Sequence, residues 1–166
     1  MSETAASDAS APDEPAFRSI ADLVALRARA APRANAIIDA TETLDYAALD
    51  ALIDRVAAAL QRDGIAPGEA VAVCAANCAR YAAVFLGALR AGAALAPLSP
   101  SSAPATFDVA LRDCGARLLF VDAQGAALLG EQGASTALVA LRDGAPGRRF
   151  EDWLAPAGSM LDHDAF

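Results

Sequence analysis

Ligands of open parallel sheets sit beyond the carboxyl ends of the strands, so residues able to do chemistry are sought where apolar, strand-like runs give out. In this sequence those positions are Asn77, Ser99, Ser101, Ser102 and Asp122. Asn77 precedes a helical pattern, and a helix cap is its favoured role over a ligand group. The three serines lie among prolines ahead of a helix that starts at Pro104. The free N–H groups of such a helix start could hold an anion, although serines there are ordinary turn residues and that role is favoured. Asp122 follows a buried run as a metal-binding or phospho-accepting aspartate would, but no second carboxylate or lysine accompanies it, which favours loop capping.

Other chemistries lack their parts. The turn Ala75-Ala76-Asn77-Cys78 carries no glycine, so neither a dinucleotide fingerprint nor a phosphate loop is present there. Cys74 and Cys78 are four apart with no histidine nearby, which is not zinc-knuckle spacing, and they read as small buried hydrophobes. His163 is the sole histidine and lies near the C-terminus, giving little support to a Ser-His-Asp or Cys-His arrangement. All 13 basic residues are arginines, so Schiff bases, lysine general bases and phosphate-loop lysines are excluded within this sequence. No catalytic residue and no metal site is assigned.

The elements that would position these residues follow from periodicity. Residues 1–16 are acidic and rich in Ser, Ala and Pro, with too little apolar area to offset the entropy of ordering, and read as a disordered tail without signal-peptide character. An α/β domain is expected over residues 17–143, followed by a loose segment over 144–166 in which 150–154 can make a helical turn. Helices are expected over residues 19–31 with Ser19 as N-cap, 45–64 closed by Gly64, 78–91 capped by Asn77, and 104–114 closed by Gly115. On the helix at 104–114, Asp108 and Arg112 are spaced for a weak ion pair. Short strands are expected at 36–39, 43–45, 70–75, 93–98, 118–121 and 136–141. Continuous apolar strands alternating with helices imply an open, mainly parallel sheet with helices on both faces.

Aromatic residues make up only 5% of the 166, so Phe85, Phe107, Phe120 and Trp153 are expected to anchor the core. The helix at 78–91 is apolar nearly all round, which calls for cover on more than one side, although its alanines also soften the pattern. A net charge of -8 argues against nucleic acid or an anionic membrane as partner. The longest apolar stretch, Tyr81 to Leu98, is interrupted by Gly87, Arg90, Gly92 and Pro97 and so reads as a helix and a strand rather than a membrane span. Three cysteines are too few for a disulfide framework, which points to a reducing cytoplasm.

Four blocks, in order, resemble the AMP-forming adenylating enzymes, which include acyl-CoA and aryl-CoA synthetases, luciferases and peptide-synthetase adenylation domains. Leu44-Asp45-Tyr46-Ala47-Ala48-Leu49 is similar to the family's "(T)Y-x-E-L" block, with Ala48 replacing the acidic residue. Gly64-Ile65-Ala66-Pro67-Gly68-Glu69-Ala70-Val71-Ala72-Val73 looks like "G-V-x-P-G-D-x-V-A-V", with Asn77 beyond it. Leu89-Arg90-Ala91-Gly92-Ala93-Ala94-Leu95-Ala96-Pro97-Leu98-Ser99-Pro100 resembles "L-K-A-G-A-x-x-x-P-L-x-P", and Asp113-Cys114-Gly115-Ala116-Arg117 fits "D-S-G-A-K". Pro97-Leu98-Ser99-Pro100 leans towards acyl- or aryl-CoA ligases over peptide-synthetase adenylation domains.

The resemblance spans residues 17–141 and implies a parent that adenylates a carboxylate with ATP and Mg, then forms a thioester with coenzyme A. The family's Ser/Thr/Gly-rich loop ending in Pro-Lys-Gly, its Tyr-Gly-x-Thr-Glu block and its lysine have no counterpart in this sequence, so no family catalytic residue carries over. The expectation is an N-terminal part of such a synthetase, inactive alone and binding no cofactor by itself, with the rest of the synthetase or another protein on the apolar face of helix 78–91. The alternatives are a stand-alone interaction module on the same scaffold and, more weakly, a small nucleotide or flavin binder.

Overall fold

A computed structural model describes residues 19–130 and 135–162. The chain enters through α1 (Ile20–Ala30), started by a reciprocal capping box: the Asp22 N–H donates to Ser19 Oγ at 3.2 Å and the Ser19 N–H to Asp22 Oδ2 at 2.8 Å. The strands β1 (Asn35–Ile38) and β2 (Thr43–Asp45) pair antiparallel as a separate hairpin. Asp45 then caps α2 (Tyr46–Arg62) by accepting from the Ala48 N–H at 2.8 Å. Leu49, Ile53, Val56 and Leu60 recur at helical spacing along its buried face.

At the end of α2 the C-cap is Asp63 rather than Gly64. Gly64 occupies the next, left-handed position at φ 74°, and the Ile65 N–H reaches back to the Leu60 carbonyl at 3.0 Å. The helix thus stops a residue early because its last carbonyls are satisfied by a closing motif that places glycine just outside it. The same device closes α3 (Ala79–Arg90), with Gly92 at φ 73° and the Ala93 N–H on the Ala88 carbonyl.

After the turn at Pro67-Gly68, β3 (Ala70–Cys74), β4 (Ala94–Pro97), β5 (Leu118–Val121) and β6 (Ala137–Ala140) form one parallel sheet. A short β7 (Arg148–Arg149) extends it, giving the order β4-β3-β5-β6-β7. Its two faces bury different residues. Val71, Val73, Leu118 and Phe120 pack into a core with α2 and α3, while Ala72, Cys74, Leu119 and Val121 meet Phe107 and Leu111 of α4 (Pro104–Cys114). Alternate residues feed opposite layers, which is why these strands read as continuous apolar runs.

Within the segment expected to be loose over 144–166, the helical turn expected at 150–154 is present, and a short strand precedes it. β7 pairs Arg148 with Val139 and Arg149 with Ala140, and the following turn α6 (Phe150–Trp153) is buried through Phe150 and Trp153. A two-residue strand gives no periodic signal, and the stretch is held instead by its pairing with β6 and by aromatic burial. The side chains of α2 tie it down further, with Arg55 Nε donating to the Ala155 carbonyl at 2.7 Å and an Arg62 amino group to the Trp153 carbonyl at 2.9 Å. Phe107, Phe120 and Trp153 serve as core anchors, whereas Phe85 is only half-buried. The expected ion pair between Asp108 and Arg112 is not formed among the described residues, and Asp108 Oδ1 is buried there without a hydrogen-bond partner.

Three helices meet at Arg90, the last residue of α3. Its guanidinium donates to Asp54 Oδ1 at 2.6 Å, to Asp50 Oδ1 at 2.7 Å and to the Ala21 carbonyl at 3.0 Å. With the Arg90 side chain only 12% exposed, its removal leaves two carboxylates facing each other without their cation. Arg90→Met is therefore expected to destabilise the fold by about 2–4 kcal/mol, and Arg90→Lys by less but measurably, since an ammonium cannot span three acceptors on a planar fork. Urea midpoints for the two variants check this, and an Arg90→Met protein as stable as the parent would refute it.

Candidate functional site at the carboxyl edge of the sheet

Counted in chain order, the five parallel strands run 2-1-3-4-5, and the order reverses between β3 and β5. The crevice at such a reversal is where doubly wound sheets usually hold a ligand. Here it is closed by the protein's own backbone. Asp122 begins α5 (Ala123–Ala126), its Oδ1 accepting from the Gly125 N–H at 2.8 Å and its Oδ2 from the Ala76 N–H at 2.8 Å. Gly125 lies so tightly on the end of β3 that a Cβ built there would sit 1.9 Å from the Cys74 carbonyl oxygen. Asp122 is thus a loop cap, the favoured role, and it spends both oxygens on that task.

Asn77 is not the cap of α3. That position belongs to Cys78, whose Sγ accepts from the Tyr81 N–H at 3.4 Å, while Asn77 is exposed one residue earlier. A stronger acceptor satisfies the first helical amide: Asp39 Oδ2, arriving from the end of β1, takes the Ala79 N–H at 2.9 Å. Asp39 Oδ1 meanwhile accepts from Thr41 N, Thr41 Oγ1 and Glu42 N at 2.7, 2.7 and 2.9 Å, folding the hairpin turn. Sequence reasoning missed this residue. Its local signal is an Asp-x-Thr turn; its partner across 40 positions leaves none.

These donors, the Ala79 amide foremost and then Thr41 and Glu42, hold the Asp39 carboxyl well below the usual carboxylate range. A depressed folded-state value means that the stabilisation is present above the unfolded value and is lost as pH falls towards the folded one. Asp39→Asn is therefore expected to melt at a lower temperature than the parent at neutral pH. The gap should narrow below about pH 4, where the parent loses its charge advantage. Melting temperatures of both proteins across that range test the sign, and a gap that widens on acidification contradicts it.

The serines do what turns require. The Ser101 N–H donates to Ser99 Oγ at 3.2 Å and the Ser102 N–H to the Ser99 carbonyl at 3.1 Å, while Ala103 is the N-cap of α4 without a side-chain bond. Cys74, Cys78 and Cys114 are free thiols. Burial, and then the nearby Asp122 charge, push the Cys74 thiol up to about 11. His163 lies outside the described residues, as does the 1–16 tail.

Two concavities flank the start of α3. A polar cleft of about 320 Å³ is lined by Asp39, Thr41, Glu42, Cys78, Arg80, Arg142 and Asp143. Much of its charge is used internally: Arg80 donates to the Leu141 carbonyl at 2.6 Å, pairs with Glu151 and lies over the Phe150 ring. On the other side an apolar groove, also about 320 Å³, runs between α1 and α3 and is lined by Ile20, Tyr81, Ala82, Phe85 and Leu86 with Asn77 at its rim. α1, α2 and β4 pack against other sides of α3, and among the described residues this strip of the nearly all-apolar helix stays partly open.

The fold and its carboxyl edge define a doubly wound α/β scaffold whose switch point is sealed and which carries no lysine or glycine-rich phosphate loop. Residues 24–157 match the family model described as AMP-binding enzyme, and the chain belongs to that family. It is 39% identical over 89 residues to nonribosomal peptide synthetase 5 of Gibberella zeae, a match covering 54% of this chain and 1% of that protein. It is 33% identical over 96 residues to the 3-hydroxybenzoate–CoA ligase of Aromatoleum sp. strain CIB, covering 58% of this chain and 18% of that one. Among solved structures, a benzoate CoA ligase from Burkholderia xenovorans LB400 superposes with a TM-score of 0.70 at 26% identity, covering 84% of this chain and 29% of its own. The chain thus spans less than a fifth of these curated relatives. No helix among the described residues is long and apolar enough to cross a membrane.

Proposed function

We propose that this chain is the N-terminal part of an AMP-forming acyl- or aryl-CoA synthetase and that it is inactive without the rest of that enzyme. The parent reaction under this reading is ATP-dependent adenylation of a carboxylic acid followed by thioester formation with coenzyme A. One observation supports the inactivity: a chain matching the AMP-binding enzyme family contains no lysine and no glycine-rich loop, the two parts with which the family resemblance implies phosphate is held, and its arginines are not accompanied by either. The close approach of Gly125 to the Cys74 carbonyl supports the same reading, because α5 there lies against the end of β3 at the reversal where doubly wound folds use the space for a ligand. The residues present do not fit ATP there, and ATP, Mg and coenzyme A are assigned to parts of the parent enzyme outside this chain.

Coenzyme A rather than a carrier protein as acceptor is favoured by the Pro97-Leu98-Ser99-Pro100 segment and by the likeness to the benzoate CoA ligase. The partner under this reading is the rest of the synthetase, seated on the apolar strip of α3. The three free thiols favour a cytoplasmic setting. The test is carboxylate-dependent pyrophosphate release, run across a panel of aliphatic and aromatic acids. The chain alone is expected to give no release above background, and steady turnover by it would overturn the proposal.

A further inference from the structure

We draw no further inference here: the strongest candidate, the apolar groove between α1 and α3 lined by Ile20, Tyr81 and Phe85, belongs to the surface already assigned to the rest of the synthetase, and nothing in the structure shows which segment covers it.

Discussion

Trp153→Ala is expected to lower stability by about 3–5 kcal/mol, the range for emptying a large buried aromatic site. Trp153 is 1% exposed and sits edge-on to Phe120 with ring centroids 4.9 Å apart, while Phe150 lies against it at 6.0 Å. Its indole N–H also donates to Asp63 Oδ2 at 2.7 Å, so the same ring fills the core and ties α6 to the end of α2. The alanine variant removes packing, an edge-to-face contact and a charge-assisted hydrogen bond together. Trp153→Phe separates these contributions: it keeps much of the packing, loses the donor, and is expected to cost about 1–3 kcal/mol. Chemical denaturation followed by circular dichroism checks both values. An alanine variant within about 1 kcal/mol of the parent would show that residues 148–155 are not part of the cooperative core.

Gly125→Ala is the second large effect. Most glycine-to-alanine changes are judged by backbone conformation, but here the obstacle is space. The added carbon would lie 1.9 Å from the Cys74 carbonyl oxygen, 2.8 Å from its carbon and 3.0 Å from its sulfur. Two of those atoms are backbone in a central strand and cannot swing aside, so α5 must lift away from β3. The expected cost is about 3 kcal/mol or more, at the upper end for overpacking. A chemical readout accompanies it. In the parent, burial keeps the Cys74 thiol protonated and slow to react, whereas lifting α5 should expose it to thiol reagents. A variant that keeps both its stability and an unreactive Cys74 would contradict the close contact.

Much of the scaffold was legible because its signals are local. Pro104 at the first turn of α4 and Gly115 in a left-handed conformation at φ 61° delimit that helix as read, and the apolar run Leu118–Val121 is β5 residue for residue. Ser19, as read, caps α1 through a side chain only three residues from the amide it binds. What escaped depends on distance in sequence. Asp39 displaced Asn77 as the partner of the α3 amides because a charged oxygen from another element reaches Ala79 first. β7 escaped because two residues have no period, and it exists only through pairing with β6. The closed crevice escaped as well, since a glycine in a four-residue helix says nothing about the strand end it touches.

The turn between β3 and α3 is gripped from opposite ends, by Asp122 at the Ala76 amide and by Asp39 at the Ala79 amide. Mechanically this makes a truss. The hairpin is one strut, α5 is the other, and the short connection between them has no slack of its own to absorb a load. A displacement of the hairpin therefore reaches the rim of the sheet through the Asp39–Ala79 hydrogen bond. The apolar strip of α3 starts at that same joint, so whatever sits on it leans against a braced corner.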